Sequence, residues 1–529
     1  MKPVVIKIFG PPGTGKTTWL IKKMLFHLKN GLGPEDIAYL SFTKSQAMDA
    51  KKRAVAITGY SWKDFTYFGT VHSLAFSLLG IDRDSVFSDE KLYDFCKSIG
   101  LKAATPRKKI LEEPEYYDIA SINYEGNQCH ALYELARNKM PNQEPRKIYF
   151  DRLIQPVREQ LSFRTYKYFI YYYEKYKKEN GLFDFTDFIV RCIKERLVPP
   201  VRVLIVDEYQ DISPLEDIYI RLIAQNCDFV YLGGDEDQTL YSYLKGCDPK
   251  IFLNWPGVSL VLKKSYRLPE VVSNFCQEII KKNIVRMEKT FSSNGEMGEL
   301  HYVDPLRFDY SDFDGFILSR NWYWLRKIEE HLLTQGIFFE KANKEKYYSK
   351  AFNEALIVAE KIQKNMEVTT KELDKLFKWI RSEPWLKHGA KAKVKKETDI
   401  VYPSEYLLYM NQNLLDKIKD GLDKFIDICT FRSKAVSEAT AKSLYKTTIK
   451  KWGTKILEKG ASVKLASMHY SKGLEANDVL VLPDMTYASY QNFRLNPEDE
   501  RRIFYVGASR AKERLFISEV PFSRWYFRF

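Results

Sequence analysis

Cysteine is scarce in this chain. Seven are spread over 529 residues, and no two stand in a Cys-x-x-Cys pair. That argues against a zinc cluster and a disulfide framework, and fits a reducing cytoplasm. Long apolar runs are missing as well: no stretch approaches the ~18 residues that span a bilayer, so no membrane association is expected. The opening run Val4-Val5-Ile6-Lys7-Ile8-Phe9 is too short and too soon interrupted for a secretory signal, and reads instead as a buried strand. No internal repeat and no low-complexity tract stands out. Acidic residues are outnumbered, 69 Asp and Glu against 83 Lys and Arg, for a formal charge of +14. A basic excess of this kind suits a polyanionic partner. Hydrophobic residues make up 45% of the chain, enough for more than one core, and the length allows three or four domains at about 150 residues each.

Short apolar strands recur, each running into polar residues and then a helix. Val4–Phe9 leads into the turn Gly10–Lys16 and a helical stretch from Thr17 to Leu28. Residues 37–42, 201–206 and 229–232 repeat the pattern, the last two ending in Asp207-Glu208 and Gly233-Gly234-Asp235. Such alternation indicates a parallel α/β sheet, in which ligands bind beyond the C-terminal strand ends. From about 86 to 179 the sequence becomes helical and charged. A second α/β unit begins near residue 260, with strands around 315–318, 463–466 and 478–482, interrupted by a Lys-rich helical stretch from about 366 to 455.

Gly10-Pro11-Pro12-Gly13-Thr14-Gly15-Lys16-Thr17 fits Gly-x-x-x-x-Gly-Lys-[Ser/Thr], between a predicted strand and a predicted helix. Glycines let backbone N–H groups converge on phosphate oxygens, and a helix N-terminus adds partial positive charge. Lys16 then reaches the β- and γ-phosphates and the Thr17 hydroxyl ligates Mg²⁺. Asp207 and Glu208 form the matching acidic pair at a strand end. Adjacent carboxylates repel unless a cation lies nearby; Asp207 is expected to serve Mg²⁺ and Glu208 to act as the general base on water.

Asp207-Glu208-Tyr209-Gln210-Asp211 resembles the acidic box of superfamily 1 helicases of the UvrD/Rep/PcrA type. Further blocks follow in that family's order: residues 39–44 look like its motif Ia, 69–73 like motif Ib, and Asp184-Phe185-Thr186-Asp187-Phe188 like the block before the acidic box. Residues 234–241 look like motif III, Ser265-Tyr266-Arg267 like motif IV, 468–475 like motif V and 500–511 like motif VI. The matches span nearly the whole chain apart from the helical stretches.

The resemblance implies two RecA-like P-loop NTPase domains, each with a mostly helical insertion, and ATP with Mg²⁺ in the cleft between them. The domains would be 1–85 with 180–259, carrying 86–179 as an insertion, and 260–365 with 456–529, carrying a shortened insertion at 366–455. The nucleotide would be held by Gly10 through Thr18, with Thr18 following Thr17, and by Tyr266 on the adenine and Glu475 on the ribose. Gln238 would sense the γ-phosphate, and Arg267 and Arg510 would be arginine fingers from the second domain. Phe42, Thr43, His72, Ser73, Tyr241, Tyr243 and His469 would line the path of single-stranded DNA, aromatic rings suiting a motor that accepts any base. The implied function is a 3′-to-5′ DNA helicase or translocase. It would act as a monomer on single strands and duplex junctions, beside a repair, replication or nuclease partner.

Two stretches remain open on the residues alone. Tyr166, Tyr168, Tyr171, Tyr172, Tyr173 and Tyr176 alternate with lysines, which fits either a nucleic-acid stripe or helix packing, the latter favoured. Lys387, Lys391, Lys393, Lys395 and Lys396 fit a duplex contact or a solvated loop. Only nine residues precede Gly10, so the family's adenine-reading Gln segment is expected to be missing and NTPs besides ATP to serve. With the short second insertion, this keeps a second function in view: a DNA-binding regulatory ATPase subunit gating a partner nuclease or repair complex. An RNA motor is a third. Whichever holds, Lys16→Ala is expected to abolish NTP hydrolysis in a steady-state assay. Glu208→Gln should bind nucleotide but turn over very slowly; wild-type rates in either would remove the assigned role.

Overall fold

The computed structural model describes residues 2–105, 124–139, 161–342, 346–396, 399–431 and 437–529. It divides into two compact units: Met1–Gly298 with Thr486–Ser509, and Glu299–Met485 with Arg510–Phe529. No helix among the described residues is long and apolar enough to cross a membrane. All seven cysteines are buried, and no disulfide forms among the described residues.

The first unit is built on β1 (Val4–Phe9), β2 (Ile37–Leu40), β3 (Phe68–Gly69), β4 (Val203–Val206), β5 (Phe229–Gly234) and β6 (Val258–Val261), ordered β3-β2-β4-β5-β1-β6. Every pairing is parallel. Strands β2 and β4 are buried along their whole length, as expected of β-branched and apolar runs covered on both faces. This order has a direct consequence for chemistry. Strands β4, β5 and β1 are neighbours, so the loops after them, carrying Asp207, Asp235 and Gly10–Lys16, open side by side at one edge of the sheet.

The second unit contains β7 (Glu299–Val303), β8 (Gly315–Ser319), β9 (Phe339–Lys341), β10 (Val368–Thr369), β11 (Ile400–Val401), β12 (Val463–Ser467), β13 (Ala476–Leu482) and β14 (Ala511–Ser518). Six of them form a second parallel sheet, β7-β14-β13-β8-β12-β9, while β10 and β11 make a separate antiparallel pair. Two parallel sheets flanked by helices are the architecture expected of two RecA-like domains.

The division between the units differs from the sequence expectation of a boundary near residue 260. Strand β6 extends the first sheet by pairing with β1 from Ile6↔Val258 to Phe9↔Val261, so a domain start at 260 would cut through it. The chain from 262 to 298 and the helix Pro497–Ala508 also belong to the first unit. Polar contacts hold them together: Glu498 accepts hydrogen bonds from the backbone of Ile284 at 2.9 Å and Val285 at 3.3 Å, and Arg502 donates to Val285 O at 2.9 Å.

The two helical stretches differ in kind. Helices Asp89–Ser98, Glu125–Lys139 and Phe163–Glu179 share their own core, with Phe95, Leu132, Phe169 and Tyr173 at its centre. Of the tyrosine run, Tyr166 and Tyr173 face this core while Tyr168 and Tyr171 are exposed, so the run divides between packing and surface. In the second stretch, Leu373, Phe377, Leu414 and Phe425 join one continuous cluster with Ile317, Leu465 and Leu480 of the second sheet. Within the basic run, Lys391 donates to Ile380 O at 2.7 Å and Lys393 lies 4.6 Å from the Tyr409 ring centre; Lys387, Lys395 and Lys396 are exposed.

A buried ionic cluster ties the first helical stretch to the helix Phe185–Glu195. Asp184 caps that helix, and its carboxylate is 2.8 Å from Arg137 and 2.6 Å from Lys177; Lys177 also reaches Asp187 at 2.8 Å. Burial works against charge on Asp184, but Arg137 and Lys177 hold its carboxyl well below the usual range. Removing one member of a buried pair leaves the rest uncompensated. Arg137→Met is therefore expected to lower the opening free energy of helices 125–139 and 163–179 by about 3–5 kcal/mol in amide hydrogen exchange; a change below about 1 kcal/mol would assign the cluster no structural weight.

Candidate active site

The loop after β1 is shaped by glycine. Gly13 and Gly15 have φ of 73° and 80°, a left-handed conformation that glycine adopts without a steric penalty. Gly13 also has no room for a side chain: an added Cβ would press into Arg267 Cβ and lie 2.9 Å from Ser265 Oγ. Ser265 Oγ donates to Pro12 O at 2.8 Å, and Tyr266 N donates to Gly13 O at 2.8 Å. The Ser265-Tyr266-Arg267 block thus lies against the P-loop inside the first unit. This revises the expectation that Arg267 reaches the loop from the second domain. The physical reason is the pairing of β6 with β1, which carries the following residues back along the loop.

Within the loop, Thr14 Oγ1 donates to Pro11 O at 2.8 Å, and Lys16 Nζ donates to Gly10 O at 2.6 Å. The helix Lys16–Lys29 starts here with Gly15 as its N-cap and no side-chain cap, and a helix N-terminus of this kind suits an anionic ligand. Thr18 lies in its first turn. Thr17 Oγ1 donates to Asp207 Oδ2 at 2.7 Å, and Tyr39 OH donates to the same oxygen at 3.0 Å. Burial, reinforced by the neighbouring Glu208, raises the Asp207 carboxyl to about 6 against the pull of Thr17, Lys16 and Tyr39.

Glu208 is one of few non-glycine residues with positive φ, at 55°. A side chain held in the left-handed region at a strand end is a strain typical of functional positions. Gln210 Nε2 donates to Glu208 Oε2, and Gln210 Oε1 accepts from Asp235 N at 3.0 Å. Gln238 Nε2 donates to Asp235 Oδ2 at 2.7 Å. Lys16, Thr17, Asp207, Glu208, Gln238, Tyr266 and Arg267 thus all belong to the first unit, around the ends of β1, β4 and β5. Tyr266 is 72% exposed, leaving its ring free of core packing.

A hard-oxygen pair, the Thr17 hydroxyl and the Asp207 carboxylate, beside a phosphate-type loop matches the way Mg²⁺ is usually taken up, through one or two carboxylates with substrate phosphates and water. Among the described residues no group of three or more His, Cys, Asp or Glu side chains could hold a metal ion.

The profile of the UvrD/REP helicase N-terminal domain matches residues 4–256, and that of the UvrD-like helicase C-terminal domain matches residues 135–521. The chain belongs to the UvrD/Rep helicase family. It is 23% identical to the putative ATP-dependent DNA helicase YjcD of Bacillus subtilis, covering 96% of this chain and 76% of that protein. It is 23% identical to the ATP-dependent DNA helicase Rep of Buchnera aphidicola subsp. Acyrthosiphon pisum, covering 97% and 92%. Against the ATP-dependent DNA helicase PcrA of Bacillus subtilis the identity is 22%, over 96% and 79%.

In this UvrD/Rep-family chain the residues expected along the polynucleotide path are mostly engaged with protein. Phe42 and Tyr241 stack on each other, ring centres 4.7 Å apart and planes at 18°, with Lys245 Nζ 4.3 Å from the Phe42 ring. Thr43 caps the helix Lys44–Thr58, and Ser73 Oγ bonds both the N–H and the C=O of Thr70 at the start of the helix Val71–Leu79. The side chain of Tyr243 lies outside the described residues. In the second unit, Arg510 is buried and donates to Leu474 O at 3.3 Å, Glu475 is exposed with Lys512 at 4.0 Å, and His469 follows β12. Burial, with Arg320 and Lys472 nearby, keeps His469 uncharged.

Sequence motifs did not single out Arg286 and Lys289, which pair with the acids after β5. The available signal was indirect: Asp235, Glu236 and Asp237 stand in a row after a buried strand, and such a run requires counter-charge.

His72 Nδ1 lies 3.3 Å from Glu216 Oε1. Burial lowers its imidazole to about 4; Glu216 and Asp184 oppose this, and Lys245 adds to it. The unfolded chain would take up a proton near 6.5 that the folded one refuses. His72's contribution to stability is therefore complete above about pH 6.5 and declines as pH falls toward 4. A neutral ring releases no counterion, so His72→Gln should leave the slope of log affinity against log salt for single-stranded DNA unchanged. A slope shallower by about 0.7 would instead show a cationic phosphate contact.

Proposed function

We propose that this chain is an ATP-dependent DNA helicase or translocase that moves 3′ to 5′ along single-stranded DNA. Hydrolysis would be coupled to closure of the second unit on the first. The observation that carries the reading is the gathering of the P-loop, the Thr17–Asp207 pair and the Asp235–Gln238 pair at one end of a single parallel sheet, in a chain of the UvrD/Rep family. The relatives PcrA and Rep are named ATP-dependent DNA helicases and YjcD a putative one, and the basic excess suits a phosphate-rich track.

In this reading Gly10 through Thr18 cradle the triphosphate, and Lys16 leaves the Gly10 carbonyl to meet the β- and γ-phosphates. Thr17 and Asp207 would hold Mg²⁺, which supplies charge neutralisation on the phosphates when bound. Glu208 takes a proton from the water that attacks the γ-phosphorus, and its strained backbone together with the Gln210 bond supports that role. Gln238 aligns the water or the γ-phosphate. Arg267 and Arg510 are the proposed arginine fingers, a device that typically contributes about 10³–10⁵ in rate. Tyr266 stacks on the base and Glu475 meets the ribose.

The test is ATP turnover with and without single-stranded DNA or RNA, beside displacement of duplexes tailed at either end. Single-stranded DNA is expected to stimulate turnover, and the 3′-tailed substrate to be unwound. Preference for the 5′ tail reverses the direction, and stronger stimulation by RNA makes the chain an RNA motor. DNA-stimulated hydrolysis without displacement, restored by a partner protein, assigns the regulatory ATPase role. Absence of any polynucleotide stimulation overturns the motor reading.

A further inference from the structure

The turn after β5 places Asp235, Glu236 and Asp237 in succession, all three buried. Three carboxylates so close, out of water, are strongly unfavourable without compensating charge. The compensation comes from a segment outside every motif block. Lys289 Nζ lies 2.7 Å from Asp235, 2.7 Å from Glu236 and 3.0 Å from Asp237, and its side chain is 1% exposed. Arg286 binds Asp237 at 2.8 Å, and Met287 N donates to Glu236 Oε1 at 2.7 Å. Glu236 Oε2 is buried with no hydrogen-bond partner, so Lys289 and one backbone N–H carry this carboxylate.

The cluster leads to the site in two directions. Asp235 gives one oxygen to Lys289 and the other to Gln238 Nε2, at 2.7 Å in each case. Its backbone N–H donates to Gln210, whose amide donates to Glu208. The segment carrying Lys289 is itself fastened through Ile284 and Val285 to the helix Pro497–Ala508. A displacement of Lys289 would be felt at Gln238 through one intervening residue and at Glu208 through two.

We propose that Lys289 is a positioning residue for ATP hydrolysis: by fixing Asp235 it sets the orientation of Gln238 and, through Gln210, of Glu208. This rests on the reading of Glu208 and Gln238 as hydrolytic groups. Arg286 holds only the far acid of the turn, so it does not substitute for Lys289 at Asp235.

A structural counter-charge and a positioning group predict different behaviour. Lys289→Met strands three acids with one base. Lys289→Met combined with Glu236→Gln removes one charge of each sign and keeps the cluster's net charge at the wild-type value. The double variant is expected to recover wild-type thermal stability and to bind a fluorescent ATP analogue normally. Its DNA-stimulated kcat should still lie about 10²-fold below wild type, the scale expected of slight misplacement, with KM for ATP little changed. Amide exchange across Asp235–Gln238 should be faster than in wild type. Recovery of kcat together with stability would make Lys289 a counter-charge only and overturn the proposal, as would native exchange in the turn. A wild-type protein without ATPase activity would instead defeat the reading of Glu208 and Gln238, while turn exchange would still report whether Lys289 fixes Asp235.

Discussion

Carboxylates taken out of water must be matched by donors or cations, and that constraint organises the first unit. Asp207 is met by Thr17 and Tyr39, from different elements. Asp235, Glu236 and Asp237 are met by Lys289 and Arg286, some fifty residues onward. Asp184 and Asp187 are met by Arg137 and Lys177 on two helices. In each case the acid lies on a loop, a cap or a first helical turn and its partner on a different element, distant in the chain for all but Lys177, which is seven residues from Asp184. Hydrophobic burial is non-directional and tolerates small slips; a buried ion pair does not. These pairs therefore set where the loops at the strand ends come to rest.

The site inherits its geometry from strand order. With β1 between β5 and β6, and β5 between β1 and β4, the phosphate loop is flanked by both acidic turns on one side and by Ser265-Tyr266-Arg267 on the other. Gly13 lies where the two meet, and its missing side chain is what leaves room for Arg267 Cβ and Ser265 Oγ. Hydrogen bonds from Leu262 N to Phe9 O, Ser265 Oγ to Pro12 O and Tyr266 N to Gly13 O fasten the start of the segment 262–298 to the first sheet and its loop.

The two helical stretches show that an inserted sequence can be accommodated in different ways. The first closes on its own aromatic core and is joined to the helix Phe185–Glu195 by the ionic cluster around its cap, Asp184. The second adds its leucines and phenylalanines to the core of the sheet that carries it. Composition marks the first as helical and charged and the second as helical and Lys-rich, and does not distinguish an independent core from a shared one.

The parallel strands, the phosphate loop and the Asp207-Glu208 pair were legible in the sequence because each is a local pattern. Alternation of apolar runs with polar strand ends, or a glycine spacing before Lys16, needs no knowledge of distant residues. What only the tertiary structure decided is which polar groups lose water and what meets them there. Phe42 and Tyr241 face each other, His72 stays neutral beside Glu216, β6 joins the first sheet, and Lys289 sits among three acids. None of these has a local signature, because the free energy of a charge or a ring depends on burial and on partners that folding brings from elsewhere in the chain.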